Sequence, residues 1–158
     1  MSKDFTPEEY QAGRRLVRFS RTQDGNKLCV SCEAITPDDY TEGDIVASCI
    51  IRDNHEEPCV TSVDIIVLLQ RLVQDSFSVE EKNRIRRNLE GFHPATIAKT
   101  KPDTEVFFRR IMDFPEPKPR NIEKDVKVFE WTVLPAALEK IIHKYVHTPL
   151  GTFFFSLD

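Results

Sequence analysis

Glycine is scarce, 5 residues in 158, which excludes glycine-rich scaffolds and leaves no Gly-rich loop of the phosphate-cradling kinds. Four cysteines are too few for a disulfide-stapled secreted scaffold of this length. No apolar run approaches the ~20 residues of a membrane-spanning helix, and no basic-then-apolar leader opens the chain. Also missing are G-x-S-x-G, H-E-x-x-H and any cysteine in an activating pattern, so no constellation compels an enzyme. An overall positive charge is absent too. The formal net charge of −4 argues against a uniformly cationic nucleic-acid coat. What is present, 40% hydrophobic and 30% charged residues, suits a soluble intracellular chain folded as a single globular regulatory domain over 1–158.

The charge is unevenly spread. Residues 1–77 carry 8 Lys+Arg against 14 Asp+Glu, whereas 78–147 carry 14 against 11 and the stretch 82–127 carries 12 against 7. Screening confines fields to about 8 Å at physiological salt, so an acidic chain can still present a basic face.

Local patterns place the elements. Thr6-Pro7-Glu8-Glu9 is a capping box and starts a short lead helix over 7–12 within a lead segment 1–12. Leu16, Val17 and Phe19 lie in a strand-like run ending at the Asp24-Gly25-Asn26 turn, and 28–35 returns. A third strand follows over 45–51, then a turn at 54–58 and a short fourth strand, Cys59-Val60-Thr61. Ser62 is placed to cap a helix over 63–73 that is apolar nearly all round. Ser78-Val79-Glu80-Glu81 opens a second helix that ends at Gly91, and Pro102-Asp103-Thr104 opens a third with Phe107, Phe108, Ile111, Met112 and Phe114 on one arc. Alternating prolines over 115–120 impose an extended connector, Val126 and Val128 continue as an extended piece, and a last helix begins near Thr132 with Leu134, Leu138, Ile141, Ile142 and Tyr145 on its buried face. The expected fold is α+β: an N-terminal antiparallel β-meander over 13–61 packed by one face against about four helices over 62–147. In the tail, 148–158, Phe153, Phe154 and Phe155 must form an extra strand, dock, or meet a partner.

Cys29 and Cys32 have C-x-x-C spacing, with Cys49 and Cys59 further on. Residues three apart on a strand point to opposite faces, so small buried hydrophobes are expected here and no metal site. His143 and His147 have i, i+4 spacing without an adjacent catalytic Glu and read as surface residues, and Asp64 reads as a first-turn acid suited to the helix dipole. No catalytic residue and no cofactor are expected.

The second helix carries the strongest signal. On a 100°-per-residue wheel Ile85, Leu89 and Phe92 share one sector, Asn83, Arg84 and Arg87 lie well away from it, and Arg86 sits on a flank. Apolar behind and Asn/Arg-bearing in front is what docking on DNA requires. The expected double-stranded DNA interface therefore comprises Lys82, Asn83, Arg84, Arg86 and Arg87 of this helix. Lys99, Lys101, Lys118, Arg120, Lys124 and Lys127 follow it as basic loops gripping backbone. The bland alternative is a solvated lattice of i, i+4 ion pairs, Glu80 with Arg84 and Arg86 with Glu90.

The run Glu80-Glu81-Lys82-Asn83-Arg84-Ile85-Arg86-Arg87-Asn88-Leu89-Glu90-Gly91-Phe92 resembles the central signature of the fungal Medusa family of developmental regulators. Gly13-Arg14-Arg15-Leu16-Val17-Arg18-Phe19, Cys59-Val60-Thr61-Ser62-Val63-Asp64 and the stretch 118–129 closed by Trp131 carry the resemblance further, over 13 to about 145. It implies a nuclear regulator of transcription acting in fungal development and conidiation, in company with other transcription regulators. It transfers no catalytic, metal or DNA-contact residue. The alternative function is a protein-interaction or dimerisation module of a transcription complex, docking by its acidic half or forming a homodimer through Phe153, Phe154 and Phe155, without DNA contact.

Overall fold

A computed structural model describes residues 1–25, 27–52, 56–120 and 122–144 and, by backbone alone, 145 and 152–156. Asn26, Asn54, Asn121 and His147, and the side chains of Tyr145 and of the tail phenylalanines, lie outside the described residues. The capping box at Thr6 forms as expected and starts α1 (Pro7–Ala12): Thr6 Oγ1 accepts from Glu9 N at 3.1 Å and Glu9 Oε1 from Thr6 N at 2.8 Å. Gly13 ends it at φ +83°, where a Cβ would also sit 3.3 Å from Arg110 Cδ.

β1 (Arg14–Asp24) and β2 (Lys27–Ile35) pair antiparallel from Leu16 opposite Ile35 to Asp24 opposite Lys27. β3 (Ile45–Ile50) then pairs with β1, Arg14 opposite Ile50, and not with β2 as a meander would have it. β4 (Cys59–Thr61) leads straight into α2 (Ser62–Val73), followed by α3 (Val79–Leu89), β5 (Ala95–Ala98), α4 (Glu105–Met112), β6 (Asp125–Glu130), α5 (Leu134–Tyr145) and β7 (Thr152–Ser156). The sheet order is β5-β6-β4-β3-β1-β2-β7, antiparallel throughout except for β7, which runs parallel to β2. The fold is α+β, with the strands mostly in the first half and the helices mostly in the second.

Both faces of the sheet are covered, where one was expected. Val17, Phe19, Leu28, Val30, Ala47, Val60 and Phe129 meet α2, α3 and α5 in one core. On the opposite face Ile50, Cys59, Ile97, Val126 and Val128 meet Phe108 and Ile111 of α4. The wide apolar arc of 107–114 requires such a second layer. Cys29 and Cys32 do sit on opposite faces of β2. Cys49 and Cys59 are buried on opposite faces, and burial pushes both thiols up to about 12.

Three local expectations shift. Thr61, not Ser62, caps α2, its Oγ1 accepting from Asp64 N at 3.1 Å. A 3₁₀ turn (Glu90–Phe92) prolongs α3 through Gly91, and another (Trp131–Val133) delays α5 to Leu134. Asp64 lies in the first turn of α2 as expected, but buried. Only 8% exposed, it accepts Ser48 N at 2.9 Å, satisfying β3 where the three-residue β4 stops short. Burial raises its carboxyl to about 6, against the pull of the Ser48 N–H and of nearby Arg14.

The folded chain therefore keeps the Asp64 proton between about pH 4 and pH 6, where the unfolded chain has released it. The stability this group contributes is full below about pH 4 and falls as pH rises through 6. Asp64→Asn keeps the oxygen acceptor and removes the titration, so urea midpoints of variant and parent should diverge in the variant's favour from pH 4 to pH 7. Parallel profiles would contradict this reading of Asp64.

Candidate nucleic-acid interface

α3 is built to show one face. Ser78 caps it, Oγ accepting from Glu81 N at 3.1 Å, and Ile85 and Leu89 are buried in the core beneath it. Asn83, Arg84, Arg86 and Arg87 are exposed and Lys82 is half-buried. Around the helix, Arg84 and Arg87 fall on the outward sector, with Asn88 on one flank of it and Glu90 on the other.

Both flanks are lined by lysines from other elements. On the Asn88 side, α5 sends Lys140 Nζ to 3.4 Å from Asn88 O and Lys144 Nζ to 3.0 Å from Asn88 Oδ1, while Asn88 Nδ2 donates to Arg84 O at 2.9 Å. On the Glu90 side, β6 sends Lys127 Nζ to 3.3 Å from Glu90 Oε1. Arg84, Arg86, Arg87, Lys127, Lys140 and Lys144 thus gather about one helix face, with Glu80 and Glu90 as carboxylates paired to them. Neither pairing locks its cation. Arg84 stands 3.7 Å from Glu80, and all four side chains of the two pairs are 44–84% exposed. Exposed pairs of this kind are worth about 0.2–1 kcal/mol, so a phosphate can replace the carboxylate.

The expected i, i+4 lattice forms only in part. Arg86 turns away from Glu90 and donates to Asn83 Oδ1 at 2.9 Å, because Glu90 is engaged by Lys127 across the helix–sheet junction. With its oxygen so occupied, Asn83 lacks the free amide pair that reading adenine demands, and the face suits backbone grip over base reading.

The remaining expected residues lie elsewhere. Lys99 and Lys124 oppose each other at the end of the β5–β6 ladder, Lys99 N donating to Lys124 O at 3.0 Å, with Lys101 in the next turn. Lys124, the residue before β6, is three residues, roughly 10 Å in extended chain, from Lys127. Lys118 and Arg120 are placed apart from α3. Lys118 Nζ donates to Met112 O at 3.0 Å, Arg120 pairs with Glu116 at 3.0 Å, and both line a cavity of about 310 Å³ beside Ser48, Asp64 and Arg71. The connector carrying them is bound through Arg14 on the α4 side of the sheet. Lys140 and Lys144 escape sequence reasoning. Their i, i+4 spacing on the polar side of α5 is visible, but that this side abuts Asn88 is a product of packing.

A family model described as Domain of unknown function (DUF7082) matches residues 1–142. The chain belongs to this family. No curated protein and no solved structure matches it. The DUF7082 region takes in α3, β6 and Lys140, and stops before Lys144 and β7. Among the described residues no helix is long and apolar enough to cross a membrane.

The cations of this face are expected to be dispensable for folding. Arg84→Ala, Arg87→Ala and Lys140→Ala should each shift stability in urea by less than about 1 kcal/mol, whereas Ile85→Ala, behind the same face, should cost about 2–5 kcal/mol. A loss at Arg84 or Arg87 as large as that at Ile85 would make them structural.

Proposed function

We propose that this DUF7082 chain is a nuclear regulator of transcription in fungal development that grips double-stranded DNA through the outer face of α3, flanked by Lys140 and Lys144 of α5 and Lys127 of β6. The observation that carries the proposal is the arrival of lysines from two other elements on both sides of an Arg-bearing helix. The regulatory and developmental part rests on the resemblance to the Medusa family. Its longest strings make up α3, the opening of β1, the β4–α2 junction and the approach to β6 with most of β6, and of these α3 and β6 carry residues of this face. Grip on phosphate with little base reading gives binding that tolerates sequence, with target choice left to accompanying regulators.

The chain should bind a fluorescent random-sequence duplex at 50 mM salt and lose affinity steeply by 200 mM. Combining Arg84→Ala, Arg87→Ala and Lys140→Ala should lower the slope of log affinity against log salt by about 1 for each phosphate left without its cation. Lys118→Ala with Arg120→Ala, on the other side of the sheet, should leave both affinity and slope unchanged. Binding absent at 50 mM, or equal in the triple variant, would refute the DNA grip.

A further inference from the structure

Part of the β3 edge is open. Ile51 N donates to Gly13 O at 2.9 Å, which fixes the alternation of the antiparallel ladder. Residues 45, 47 and 49 turn their backbone groups to β1, and 46, 48 and 50 turn theirs outward. Ile50 meets Cys59 of β4, and Ser48 N is taken by Asp64. Among the described residues nothing pairs with the outward N–H and C=O of Val46 or with the C=O of Ser48, because β4 has already passed into α2. Val46 and Ser48 line the cavity of about 310 Å³, with Ile45, Val63 and Val67 as apolar wall. Val67 is 44% exposed there.

The slot is closed at both ends. Asp64 caps it at Ser48, and Arg71 reaches across to Gly43 O at the other end. Arg71 and Lys118 also line the cavity. Among the described residues both are held by carbonyl oxygens, of Gly43 and Met112, and neither by a carboxylate.

We propose that this slot takes the extended C-terminal end of a partner protein. Its backbone adds to β3 at Val46, its last, apolar side chain lies against Val63 and Val67, and its terminal carboxylate meets Arg71 and Lys118. Closure at both ends favours a chain terminus over a strand running through, and the volume is at the small end of ligand sites. Two cations without a carboxylate supply the complementary charge. α3 takes no part, so the site stands or falls apart from the DNA grip.

The test offers the full chain a pool of hexapeptides ending in Val, Leu, Ile or Phe, random before that and free at the carboxylate. Ultrafiltration with mass spectrometry should recover retained members, and the same pool amidated at its C-terminus should give none above background. A recovered peptide, resynthesised, should slow hydrogen exchange at the Val46 amide. Arg71→Gln should weaken it about tenfold, the loss of one charge-assisted bond. Val46→Pro removes a donor that β1 does not use, so it should also weaken binding about tenfold while urea unfolding stays a single cooperative transition. Val67→Glu, at an exposed position, sets a carboxylate beside the slot and should abolish retention. No retained peptide, equal retention of the amidated pool, unchanged exchange at Val46, or undiminished binding by Val67→Glu would each overturn the proposal.

Discussion

A guanidinium at the start of β1 holds the molecule's two layers and its proline connector together. Arg14 is 4% exposed, donates to Ser48 Oγ at 3.0 Å and Pro115 O at 2.7 Å, bonds Pro117 O as well, and stacks over the Phe114 ring at 4.7 Å. Burial weakens its hold on the proton, while Asp64 and Glu116 strengthen it. A planar fork is needed because the acceptors come from β3 and from two carbonyls of a segment too rich in proline to satisfy itself by helix or sheet. That segment delivers the chain to β6, and β6 delivers Lys127 to α3. A buried charge far from the basic face thus anchors the segment that leads into β6. A second buried guanidinium repeats the device at the N-terminus, where Arg15 binds Glu9 and the carbonyls of Met1, Lys3 and Asp4.

The face itself is assembled by opposite means. Its apolar underside is fixed by Ile85 and Leu89, whereas its cations meet exposed carboxylates, a carbonyl, an amide and, under Lys140, the Phe92 ring. Asn88 is the hinge of that assembly, since it ties Arg84's carbonyl, Lys140 and Lys144 into one small network. Orientation without strong pairing suits an anion site: the cations are prepositioned, and little interaction energy is lost when a phosphate displaces a carboxylate in high dielectric.

What the sequence made legible was whatever local chemistry determines. Capping boxes at Thr6 and Ser78 forecast α1 and α3, and the apolar period of 134–142 forecast the buried side of α5. Legibility stopped where a partner distant in sequence decides the outcome. β5, Ala-Thr-Ile-Ala, carries no alternation of its own and exists because β6 pairs with it. Thr104 looked like a helix cap, and its hydroxyl went to Ala98 instead. Asp64 read only as a first-turn acid of α2, which it is, and its bond to Ser48 was not legible because the open stretch of β3 it caps follows from a strand order, β3 beside β1, that no local pattern encodes. Of the expected basic set, the part on α3 was readable from its wheel. Lys118 and Arg120 were grouped with it only by proximity in sequence, and the fold carried them across the sheet.

The same topology reconciles a net charge of −4 with a helix face lined by arginines and lysines. The acid-rich first half supplies β1, β2, β3 and the loop bearing Asp38, Asp39 and Glu42, while the face rests on β6. In the sheet order, β2 stands four strands from β6, a separation of about 19 Å at the usual strand spacing. β1–β3 themselves carry Arg14, Arg15, Arg18, Arg21 and Lys27 against Asp24 and Glu33, so the acids of the first half sit mostly in its connections. Glu33 on β2 stands beyond two screening lengths of about 8 Å from β6. Strand order thus lets one chain keep an acidic bulk, favourable to solubility, and a locally positive helix. Had β3 followed β2 in a meander, the acid-bearing loop would have joined strands nearer β6, and this separation would shrink.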